Sequence, residues 1–204
     1  FSGEHQTPNA AQLSKNRILV MPKDLYAMRD MTALMYQANA AIFYNLLEQD
    51  LVNVEFYTQQ PCFIYVTHGT ERITNSANQS YQLTADTASY YQPGHNLHSD
   101  FVHTSDDLRA YLLFFDDATI TKFLLSHDKK SQITEQTVLQ GGASFKQLFN
   151  ALNDLHQRGV NSPQILQLKL LEFLHLLALH NPDVSFTKLL SPNTRSHGKR
   201  NLQR

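Results

Sequence analysis

The chain is predicted to be an α+β protein in which a β-rich domain is followed by helices, and three observations predict it. Short β-prone runs separated by turn residues fill residues 40–116, the spacing of a sandwich or barrel. After Asp116 and Asp117 the apolar period changes from two residues to 3.6. The composition, 42% hydrophobic and 17% charged with 7 Gly and 7 Pro in 204 residues, is that of a globular chain long enough to bury a core.

In order along the chain, Phe1 to Asn16 reads as polar leader, and a start at Phe1 rather than Met suggests processing or engineering. Residues 41–47 and 52–57 flank a turn at Asp50, and Val52, Val54 and Phe56 alternate with Asn53 and Glu55, one face buried and one wet. Residues 62–67 and 70–74 form two strands around a tight turn at His68 and Gly69, where Gly69 is expected at positive φ. Strands at 80–83, 87–91 and 95–103 follow, the last after a turn at Pro93 and Gly94. Residues 108–115 are apolar on both faces, as in a central strand covered on each side.

Ile120, Phe123 and Leu124 mark a short helix with an acidic start. A longer helix follows Gly141 and Gly142, with Phe145, Leu148, Phe149, Leu152 and Leu155 on one stripe. Ser162 as N-cap and Pro163 at the first helical position open a third helix, which runs to about His180 and stops at Asn181 and Pro182. It carries two apolar stripes. Leu166, Leu170, Phe173, Leu174 and Leu177 suit docking on the domain, whereas Ile165, Leu168, Leu176 and Leu179, with Glu172 among them, suit a partner helix. Coverage of the second stripe by a neighbouring helix of the same chain is the alternative. Residues 184–190 read as another short helix, and residues 191–204, with Arg195, His197, Lys199, Arg200 and Arg204, as a basic linker.

Seventeen Lys and Arg against 18 Asp and Glu give a net charge of −1, without the basic excess of a general nucleic-acid binder. The single Cys, Cys62, excludes an intrachain disulfide and a thiolate zinc site, and a reducing cytoplasm is the simplest compartment. No stretch reaches the ~18 to 20 apolar residues of a membrane span, and no signal sequence is recognisable.

For chemistry, His95, His98 and His103 form the seed of a metal site, but His95 and His98 face opposite sides of a regular strand and no His-x-His pair stands nearby. Surface or core histidines explain them as well. There is no Gly-x-Ser-x-Gly elbow and no phosphate-binding loop, so neither a catalytic residue nor a cofactor site is assigned. Aromatic and polar residues on the strands, Phe56, Tyr65, Tyr90 and His98, could line a barrel pocket for a small ligand, while a filled core accounts for them equally.

Three stretches carry a resemblance to a known family: VNVEFYTQQPCFIYVTHGTE at residues 52–71 with the Pro93, Gly94 and His98 turn after it, LQLKLLEFLHLL at residues 166–177, and FTKLL at residues 186–190 with a tail ending NLQR. Together they resemble the N-terminal half of AraC-family transcription activators, and in particular the branch that activates type III secretion genes. The resemblance implies a cupin-like jelly-roll β-barrel at residues 40–116 after a leader and first elements at 1–39. It further implies an α-helical dimerisation region at 117–190 and a linker at 191–204 toward a DNA-binding domain. It also implies a homodimer, an effector that is a regulatory protein or a small molecule, no enzyme activity, and DNA contact only through helix-turn-helix units that this chain does not contain. A metal-dependent cupin enzyme and a free-standing small-ligand module are the rival readings.

Overall fold

The computed structural model of the chain describes residues 7–15, 17–104, 106–127 and 136–191. The strands are β1 (Leu19–Met21), β2 (Met31–Gln37), β3 (Ala40–Leu47), β4 (Leu51–Thr58), β5 (Cys62–His68), β6 (Glu71–Thr74), β7 (Ser80–Leu83), β8 (Thr87–Tyr91), β9 (Asn96–Phe101), β10 (Leu108–Phe114) and β11 (Leu139–Gln140). The helices are α1 (Ala10–Leu13), α2 (Asp117–Ser126), α3 (Ala143–Gln157), α4 (Pro163–His180) and α5 (Phe186–Leu190). Two sheets face each other, one ordered β1-β4-β9-β6-β7 and the other β11-β8-β5-β10-β3-β2. The expected α+β architecture, a jelly-roll barrel followed by helices, is what the chain adopts.

Local chemistry explains the boundaries. Gly69 takes φ +83° in the turn between β5 and β6, where a Cβ would come within 2.5 Å of the Asp107 carbonyl oxygen. Ser162 caps α4 by accepting from the Ile165 N–H, and Pro163 occupies its first turn. Part of the segment read as polar leader is folded: Asn9 and Gln12 form a capping box on α1, and Ala10 is buried against β4. The strands β1 and β2, unassigned in the sequence, bracket a 3-10 turn at Lys23–Ala27. Of the expected basic linker only Ser191 is described, and Arg195, His197, Lys199, Arg200 and Arg204 lie outside the described residues.

The six-stranded sheet is buried on both faces. From β10, Leu108, Ala110, Leu112 and Phe114 point between the sheets, while Tyr111 and Leu113 point to the helices; β5 divides Cys62, Ile64 and Val66 from Phe63 and Tyr65 in the same way. On the helical side Phe173 of α4 meets Phe63, Tyr65, Phe115, Phe145 and Phe149 at ring-centroid distances of 5.5 to 6.4 Å. Tyr111 stacks flat on Phe149 at 3.8 Å and accepts a hydrogen bond from Asn153 Nδ2 at 2.7 Å. Tyr65 passes so close to Gly141 that a Cβ there would lie 2.1 Å from its hydroxyl, which accepts from the Gly142 N–H at 3.2 Å and donates to Asp86 at 3.1 Å.

Between the sheets the core is mainly apolar, and Glu71, 5% exposed, is the buried carboxylate among its described residues. Burial raises its carboxyl from 4.5 to about 7, and a hydrogen bond donated by Ser99 holds the shift back.

Two expectations follow from this packing. Replacing Phe173 with Ala removes the hub of the helical layer and should cost about 3–5 kcal/mol in urea unfolding. A cost below about 1 kcal/mol would show that the aromatic cluster does not hold α4 to the sheet. For Glu71 the folded state keeps its proton to about pH 7 while the unfolded state releases it near 4.5, so stability should fall as pH rises between those values and level off above them. Urea midpoints of the wild type measured against Glu71→Gln over that range should show the loss only in the wild type, and parallel curves would contradict it.

Candidate functional site

Buried Leu166, Leu170, Phe173, Leu174 and Leu177 define the inner side of α4. At 100° per residue, Ile165, Leu168, Glu172, Leu176 and Leu179 centre on the opposite side of the helix. The structure brings these five together on one face: Leu168 is 62% and Leu179 73% exposed, Glu172 is exposed, and Ile165 and Leu176 are half-buried at its margins. Ile165, Glu172 and Leu179 are spaced by seven, with Leu168 three residues after the first, which is the seam spacing of paired helices. Glu172 receives Lys169 Nζ at 3.3 Å, so the one carboxylate among these five residues has a cation beside it.

The C-terminus of α4 is pinned to the barrel by a side chain. Asn181, 5% exposed, accepts from the Gln140 N–H at 2.8 Å and donates to the Gln140 carbonyl and to the Leu177 carbonyl, each at 2.9 Å. Its carboxamide therefore pairs with β11 as a strand would while it caps the helix.

The four residues expected to line a barrel pocket are not gathered in one place. Phe56 is buried between the sheets, Tyr65 and Tyr90 lie on the helical side of the six-stranded sheet, and His98 is half-buried on β9. Two surface hollows are lined by other residues. One of about 600 Å³ runs between α1 and β4 past Lys15, Arg17, Val52 and Glu55, and one of about 160 Å³ sits by Tyr26, Gln37 and Gln60. Inside the barrel, the polar residues absent from the sequence reading of the pocket are Glu71, Tyr81, Ser89 and Ser99, joined by Tyr91. The period of two around Ile73, which turns Glu71 inward, was the signal that could have found the first of them.

Of the candidate metal ligands, His95 bonds Ser76 at 3.2 Å, His103 bonds Asp107 at 2.9 Å, and His98 remains apart on β9. Among the described residues no three His, Cys, Asp or Glu side chains gather in a metal-binding group. Burial raises the Cys62 thiol well above its ordinary value, so it is held as a neutral, unreactive group. Among the described residues no helix is long and apolar enough to cross a membrane.

Comparison with known proteins places this geometry. An apo variant of ToxT from Vibrio cholerae strain SCE256 aligns over 83% of this chain and 68% of that one, at a TM-score of 0.54 and 10% identity, a likeness of fold. ToxT of the same strain bound to an unsaturated fatty acid aligns at a TM-score of 0.48 with 11% identity, over 83% and 67% of the two chains. A cupin 2 conserved barrel protein from Salinispora arenicola aligns at 0.37 with 16% identity, over 48% and 83%. Among curated proteins no sequence matches. The family model described as the ExsA N-terminal regulatory domain matches residues 61–189, from the start of β5 through α5 and more than half of the chain. With a jelly-roll barrel, an aromatic helical layer and that match in one chain, this protein belongs to the ExsA N-terminal regulatory domain family of AraC-type regulators.

Proposed function

We propose that this regulatory domain is the sensing and pairing half of a longer transcription activator of the type III secretion branch. Two copies associate through the outward face of α4. The observation that carries this reading is that face itself, on which Leu168 and Leu179 stand exposed at the spacing of a helix seam while the inner side of the same helix is fully buried. Pairing two such domains would bring two DNA-reading domains of the parent protein to adjacent half-sites, the arrangement that helix-turn-helix dimers require. An effector that favours or hinders pairing then controls the activator by population shift. The chain acts by binding rather than by catalysis, as its regulatory family supports, and works in the cytoplasm where the regulated DNA lies.

Substituting Leu168 and Leu179 together with Ala tests the interface without touching the core. Light scattering should show the wild type as a dimer and the double variant as a monomer. The unfolding free energy of the monomeric unit should change by no more than about 0.5 kcal/mol, since both side chains are exposed. A double variant that still dimerises would remove α4 from the interface.

A further inference from the structure

Four exposed residues of α4 form a line that is symmetric about its middle. Leu168, Glu172, His175 and Leu179 follow one another at spacings of four, three and four. At 100° per residue they fall within an arc of about 60°. His175 stands three residues after Glu172 as Leu168 stands three after Ile165, so it continues the seam. The ends of the line are apolar, and its middle pairs an acceptor with a donor.

Neither polar side chain is used up within the chain. Among the described residues His175 has no hydrogen-bond partner, and the buried Phe123 ring of α2 meets its imidazole edge-on at 4.9 Å, which seats the ring without satisfying its nitrogens. Glu172 receives Lys169 Nζ on Oε2, and a carboxylate has lone pairs for further donors.

A second copy of the helix laid antiparallel completes both. With the two-fold axis between residues 172 and 175, Leu168 meets the partner's Leu179 at each end, and in the middle each Glu172 faces the partner's His175. The two Glu172 side chains then lie within one turn of each other across the axis. The imidazole donates one N–H when neutral and adds charge as imidazolium, so the contact forms in either state. A parallel pair instead sets each residue against its own copy, which brings the two Glu172 carboxylates together and denies each the partner's imidazole. Slipping the antiparallel copies by two turns toward their N-termini sets Glu172 against Leu168 and His175 against Ile165, with both polar groups left unmatched.

We propose that two reciprocal hydrogen bonds between Glu172 and the partner's His175 fix the orientation and register of the α4 pair, an inference that rests on the pairing proposed above. The leucine layers supply apolar contact, and the polar middle excludes the other alignments.

Two single-cysteine variants of the full chain test the register, because Leu168 and Leu179 lie eleven residues, about 16 Å, apart along the helix, beyond the span of a disulfide. Under mild oxidation, Leu168→Cys mixed with Leu179→Cys should give the mixed covalent dimer, and neither variant alone should join its own copy. Each variant joining its own copy, with no mixed dimer, would overturn the register and leave pairing in place. A wild type that light scattering shows as a monomer at every concentration would overturn pairing and the register with it. The polar contact is read separately. His175→Glu should weaken dimerisation about tenfold or more by gathering carboxylates at the centre. Adding Glu172→His to that variant should restore it, since the two groups then exchange places. Dimerisation unchanged in His175→Glu would overturn the contact between Glu172 and the partner's His175.

Discussion

The structure depends on one constraint: the six-stranded sheet has apolar side chains on both faces, so it must be covered twice. The five-stranded sheet covers one face and makes the barrel. The other face carries Phe63, Tyr65, Tyr111 and Leu113, and among the described residues no further sheet hides them. Helices α3 and α4 take that place, and Phe173 at their meeting with the sheet touches five aromatic rings from three different segments. Burial on this scale, with each large ring contributing roughly 1.5 to 3 kcal/mol, is what makes barrel and helices one cooperative body rather than a domain with an appendage.

This double coverage also fixes what α4 can offer outward. With Leu166, Leu170, Phe173, Leu174 and Leu177 committed to the sheet, the helix cannot roll without tearing out its ring cluster, so Leu168 and Leu179 are held facing away. At the C-terminal end the Asn181 carboxamide fixes the helix to β11 by two hydrogen bonds with Gln140 and caps α4 by a third to the Leu177 carbonyl. A rigid helix presenting an apolar seam has little conformational entropy to lose on pairing, which favours association over a loose, adaptable contact. The same attachment joins α4 to the barrel, since β11 pairs with β8, and β8 carries Ser89 and Tyr91 into the interior.

Much of this was legible in the residues, and the part that was not has physical reasons. The apolar run at residues 108–115 signalled a strand covered on both sides, and β10 is that strand. Ser162, Pro163 and Asn181 bounded α4 because caps act locally, within one turn of chain. The strands β1 and β2 escaped notice because Leu19–Met21 is too short to show a period and Met31–Gln37 has a register shift between Ala33 and Met35 that breaks its alternation. The pocket residues failed as a set because strand position alone does not say which face is the interior. Tyr65 and Tyr90 have the parity of the helical side, and Glu71 and Tyr91 that of the barrel. Asn181 was read as a helix stop, and its bond to β11, 41 residues away, has no sequence signature.

The most direct measurement is disulfide cross-linking through Glu172→Cys. Glu172 lies midway between Ile165 and Leu179, so in a two-fold pairing through this seam, parallel or antiparallel, it stands next to its own copy. The native Cys62 is fully buried and does not compete. If α4 is the pairing surface, mild oxidation should convert Glu172→Cys to a covalent dimer much faster than Thr121→Cys on the exposed side of α2. Equal slow rates for the two variants would contradict it and place the association, if any, elsewhere on the molecule.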